Sequence, residues 1–120
     1  MTGSFKTRDS LVDDGNGGLL KKKKEISLVS CLQRAVVLLN SNSNDGFFTY
    51  CICQKIRHVC GQIMDIYGGR PPLVRVNNQP PAELIRAVIA LISSDGQINA
   101  DARAKLIEEL NAALVMISNG

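Results

Sequence analysis

One short segment occurs twice in this chain, and it constrains the fold more than any other feature. Arg34-Ala35-Val36 opens an apolar run that gives way to Ser43-Asn44-Asp45-Gly46. Arg86-Ala87-Val88 opens another that gives way to Ser93-Ser94-Asp95-Gly96. An apolar residue follows each glycine, Phe48 in the first copy and Ile98 in the second. Ser, Asn and Asp bond to their own backbone and Gly admits positive φ, so each polar stretch competes with helix. The repeat therefore reads as helix, Asp-Gly turn, helix, written twice. It predicts a small all-α domain of four helices, made of two helix-turn-helix halves about a pseudo-twofold.

Spacing places the four helices. Leu28, Leu32, Ala35, Val36 and Leu39 recur at three and four residues, which predicts a helix over 25–40. Phe48, Ile52, Ile56, Val59, Ile63 and Ile66 hold the same period and predict a second over 46–67, with Asn44 or Asp45 as its cap and Gly68-Gly69 as its stop. Aromatic and β-branched residues crowd 47–53, so a strand there is the rival reading; the sustained period favours helix. Pro71-Pro72 and Pro80-Pro81 exclude helix interior around Leu73-Val74-Arg75-Val76, which predicts an extended crossing or short strand. Pro81 suits the first turn of a third helix over 81–92. Leu106, Ile107, Leu110, Leu114 and Ile117 stripe a fourth over 100–117, capped by Asn99.

Residues 1–24 differ in kind. Gly, Ser, Thr, Asp and Lys dominate, and too few apolar residues stand there to offset the entropy of ordering. They predict a disordered basic arm ending in Lys21-Lys22-Lys23-Lys24, ahead of a domain over 25–120. No charged start is followed by an apolar stretch, so no secretory signal is expected. The apolar runs are far shorter than the about 20 residues a membrane span needs, so no membrane partner is expected and the chain is placed inside the cell, cytoplasmic or nuclear.

Four helices in a domain this small should keep polar outer faces. Here Val37 and Leu38 fall off the first stripe, Ile89 widens the third, and Val115 and Met116 point away from Leu110 and Leu114. Surplus apolar surface marks an interface. These five residues are the candidate contact for a second copy or another protein.

Charge supplies the second candidate. The chain carries +3 at neutral pH. The arm holds six bases against three acids, and residues 47–86 hold five bases against two acids. Lys21, Lys22, Lys23 and Lys24 with Lys55, Arg57, Arg70 and Arg75 form a set able to track phosphates, with affinity that falls with salt. No aromatic interleaves the set, so contact with a duplex backbone, RNA or DNA, is the expected mode rather than base stacking.

Catalytic and metal chemistry find little support. The Asp-Gly turns invite comparison with calcium-binding helix-loop-helix hands, in which glycine sits sixth and a bidentate carboxylate twelfth. With Gly96 sixth, Leu91 is first and Ala102 twelfth; with Gly46 sixth, Ser41 is first and Ile52 twelfth. Both loops lack the carboxylate, and the likeness ends at a geometric analogy. Cys51, Cys53, His58 and Cys60 do not converge on a helix as tetrahedral zinc requires. The thiols are expected buried and free. His58 lacks an orienting group for a Cys–His nucleophile, since Asp65 lies two turns away. Gly15-Asn16-Gly17-Gly18 has the composition of a phosphate loop without its strand–helix context. Glu108 and Glu109 are adjacent and face different ways. The expectation is a non-enzymatic, self-associating regulatory module with no cofactor and no small-molecule substrate; a nucleic-acid binder is the alternative.

Overall fold

A computed structural model describes residues 24–42 and 45–119 of the chain. The expected arm lies almost wholly outside the described residues; only Lys24 falls within them. Six elements follow in order: β1 (Lys24–Ser27), α1 (Leu28–Asn42), α2 (Gly46–Tyr67), β2 (Leu73–Val76), α3 (Pro81–Ser93) and α4 (Ala100–Asn119). The protein is mostly helical, as the periodicity predicts, but a two-stranded sheet accompanies the helices.

That sheet corrects the first boundary. Residues 25–27 belong to no helix. They pair antiparallel with β2, Glu25 opposite Arg75 and Ile26 opposite Val74. Two local features stop α1 from extending backward. The Ser27 hydroxyl accepts from the Ser30 N–H at 3.1 Å, a side-chain bond that favours helix starts over interiors. The Leu28 N–H donates to the Pro72 carbonyl at 3.1 Å, tying the strand end to the proline segment. Val74 and Val76 turn inward and are buried, while Leu73 and Arg75 face out.

The second helix is continuous through 47–53, so the strand alternative fails there. The Asp45 carboxylate accepts from the Phe48 N–H at 2.9 Å and caps it. Gly68 and Gly69 end it at φ 63° and 85°, and the Gly69 N–H closes on the Met64 carbonyl at 3.1 Å. Only glycine takes such angles without steric cost. Pro81 opens α3. The Asn99 side chain caps α4 by accepting from the Ala102 N–H at 2.9 Å.

The two Asp-Gly turns are used differently. Asp45 is a helix cap and Gly46 is already helical. Asp95 instead accepts from the Gln97 N–H at 2.8 Å, and α4 begins only at Ala100. Neither Gly46 nor Gly96 adopts positive φ. The second turn is also anchored from outside. The Tyr67 hydroxyl donates to the Asp95 carboxylate, and the Arg103 guanidinium donates to the carbonyls of Asp95 and Ile98 at 3.3 and 3.0 Å.

In the bundle, α1 packs on α2 and α3, and α4 packs on α2 and α3. The core is aliphatic: Leu28, Leu32, Ile56, Val59, Ile63, Leu84, Ile85, Val88, Ile92 and Leu110 are fully buried.

Two predictions follow from these anchors. Gly69→Val forces a β-branched residue to positive φ, and chemical denaturation should show a loss of about 1–2 kcal/mol. Tyr67→Phe removes the bond to Asp95 and should cost about 1 kcal/mol at neutral pH. The Tyr67 hydroxyl, then Gln97, holds the Asp95 carboxyl below its ordinary value of 3.8. This contribution is present above that value and is lost as pH falls through the lowered one. The gap between wild type and Tyr67→Phe should therefore shrink in acid below about pH 4.

Candidate interaction surface

Burial on α2 decides what the helix shows to solvent. Ile52, Cys53, Ile56, Val59, Cys60 and Ile63 face inward. The opposite side carries Phe47, Tyr50, Gln54, Arg57, Gly61 and Met64, all exposed. Phe47 is 78% exposed, Tyr50 55% and Met64 47%. Tyr50 and Gln54 are joined by a 3.0 Å bond from the amide to the phenol oxygen.

The five expected contact residues split. Val37 on α1 and Val115 on α4 are exposed, at 61% and 56%. Leu38, Ile89 and Met116 are half-buried and pack against the core. The reason is the bundle's arrangement. Each helix has two helical neighbours, so its covered arc is wider than one stripe and reaches the off-stripe positions. Phe47 and Tyr50 fall outside the apolar stripe that Phe48 begins, so apolar periodicity does not mark them. The signal available was the alternation of three and four residues linking 47, 50, 54, 57, 61 and 64.

The basic set is also thinned. Lys21, Lys22 and Lys23 lie outside the described residues, and Lys24 is exposed at the start of β1. Lys55 stands 3.9 Å from Glu109 on α4. Arg75 stands 3.3 Å from Glu25 across the sheet, and Arg86 pairs with Glu83. Among the described residues, Arg34, Arg57 and Arg70 are exposed with no acidic partner. Arg57 shares the outward side of α2 with Tyr50 and Phe47, which lie seven and ten residues before it.

Three of the four thiols are shielded as expected, while Cys51 is free but only half-buried. Cys31, Cys53 and Cys60 are buried and free. Cys31 donates to the Leu84 carbonyl at 3.6 Å and Cys60 to the Val29 carbonyl at 3.9 Å. Burial pushes both thiols up to about 11 and raises Cys53 as well. They stay protonated and poorly nucleophilic at neutral pH. His58 faces solvent, opposite to Cys60 on the same helix. Among the described residues no three His, Cys, Asp or Glu side chains are grouped to hold a metal.

A cleft of about 360 Å³ lies between α2 and α4, lined by Gln62, Asp65, Ile66, Asn99, Asp101, Ala102, Lys105 and Leu106. The Gln62 amide oxygen is buried there without a partner. The cleft has no His or Cys, and its charges are of both signs. Among the described residues no helix is long and apolar enough to cross a membrane. Comparison with protein-family models, with curated proteins and with solved structures finds no match for this chain.

Proposed function

We propose that the protein is a non-enzymatic interaction module that associates with a second copy of itself and acts as a small regulatory or auxiliary protein inside the cell. The observation that carries this reading is the outward side of α2. The chain has five aromatic residues. Of the four that are described, Phe47 and Tyr50 point into solvent while the core is built without them. Large aromatics contribute most when buried, and exposed apolar surface of this kind is the usual mark of a contact. Val37 on α1 is a further exposed apolar residue. The same reading takes the repeated segments as two helix-turn-helix halves. Exchanging α1 with α3 and α2 with α4 leaves the pattern of helix neighbours unchanged, which supports a pseudo-twofold.

Sedimentation of the full chain tests the proposal. The expected mass at high concentration is near twice 13.0 kDa. Phe47→Ser with Tyr50→Ser should shift the equilibrium at least tenfold toward monomer, as loss of aromatic anchors does at interfaces. A wild-type chain that stays monomeric at every concentration overturns the reading.

A second reading rests on a different observation: Arg34, Arg57 and Arg70 have no acidic partner among the described residues. Exposed guanidiniums without an acidic partner are suited to phosphates. Binding of labelled RNA and DNA, duplex and single-stranded, should then fall steeply between low and physiological salt, and Arg57→Ala should weaken it further. Absence of binding at low salt ends this reading.

A further inference from the structure

Six exposed positions along α2 form a sequence that is complementary to its own reverse, with Gly46, His58 and Asp65 exposed beside them. Phe47, Tyr50, Gln54, Arg57, Gly61 and Met64 are separated by three, four, three, four and three residues. That is the seam spacing of a helix packed along a second helix. Turned end for end about an axis between Lys55 and Ile56, the seam sets each residue against a fitting one. Phe47 meets the partner's Met64, an aromatic against a thioether, which is a favourable contact. Tyr50 meets the partner's Gly61, the largest side chain against none. Gln54 meets the partner's Arg57, an amide oxygen against a guanidinium.

Gly61 is the independent observation. It sits in the middle of a 22-residue helix, where glycine costs about 0.5–1 kcal/mol relative to alanine. The fold itself gives no reason for it: φ is not positive, and nothing beyond its own stretch of helix lies within 4 Å of where a Cβ would stand. A glycine on an exposed helix face with room around it is explained by something that approaches from outside. The register above supplies it, because the ring of the partner's Tyr50 falls on that position.

We infer that two copies of the chain associate through α2 packed antiparallel on α2, with Tyr50 of each seated over Gly61 of the other. This rests on the self-association proposed above and specifies its surface, direction and register. The seam runs about 26 Å, at 1.5 Å per residue. That is short for a permanent dimer, so the association is a reversible one. Arg57 of one copy lies a layer from Arg57 of the other, and their repulsion is screened by salt. Added salt therefore tightens this dimer, the opposite of its effect on nucleic-acid binding.

Sedimentation equilibrium of the full chain and four variants tests the register. Gly61→Phe fills the space that Tyr50 needs. It should leave helicity and thermal stability intact and loosen dimerisation at least tenfold. Gln54→Lys sets ammonium against the partner's Arg57 and should loosen it about fivefold. Adding Arg57→Glu to Gln54→Lys restores opposite charges across the seam and should return the affinity to within about twofold of wild type. Glu108→Gln, exposed on α4 and off the seam, should change nothing. If wild type dimerises and Gly61→Phe dimerises equally well, or if the double variant is weaker than Gln54→Lys alone, the register is wrong while self-association stands. If wild type is monomeric up to about 1 mM, where Kd corresponds to only about −4 kcal/mol, both fall.

Discussion

The burial of one side of α2 is the constraint on which the remaining structure depends. Ile52, Ile56, Val59 and Ile63 are sealed between α1 and α4, with 2% exposure or less. Each such side chain contributes about 1.5–3 kcal/mol relative to exposure. Together they fix the rotation of the helix about its own axis. Turning α2 by one residue would lift this row out of the core. The outward side is therefore imposed by the inward one, and Phe47, Tyr50, Gly61 and Met64 have no alternative place to go.

The caps and ties make that rotation definite. Asp45 holds one end of α2, and Gly68-Gly69 close the other. Tyr67, one residue before the stop, binds Asp95 in the turn between α3 and α4, so the end of α2 is fastened to the second half of the bundle. At the far side, the Glu25–Arg75 pair and the Leu28–Pro72 bond attach the small sheet to the start of α1. These contacts are individually modest. Their effect is to remove freedom from a helix whose apolar face already sets its orientation, so that the outward seam is presented in one arrangement.

How much of this was legible in the sequence depends on the range of the interaction. Helix positions follow from local spacing, and so do the caps Asp45 and Asn99 and the glycine stop. What failed is nonlocal. Nothing near Lys24–Ser27 announces a strand, because its partner is Leu73–Val76 and the pairing exists only once the bundle has brought them together. Lys55 reads as free until Glu109 arrives from α4. Leu38, Ile89 and Met116 read as surplus because a single stripe underestimates what two neighbouring helices cover. The outward seam of α2 was present in the spacing but mixed in chemistry: apolar, amide, cationic and glycine positions alternate, and a search for apolar periodicity passes over it. The repeated Asp-Gly pair shows the same limit from the other direction, since identical residues serve as a helix cap in one copy and as an anchored turn in the other.

The most direct measurement of the account is a dilution series of amide nuclear magnetic resonance spectra. The account predicts that the resonances of Phe47, Tyr50, Gln54, Arg57, Gly61 and Met64 move together with concentration, while the outward residues of α3, Glu83, Arg86 and Ala90, stay fixed. Concentration-dependent shifts confined to α3 or α4, or spectra that do not change on dilution, would contradict it.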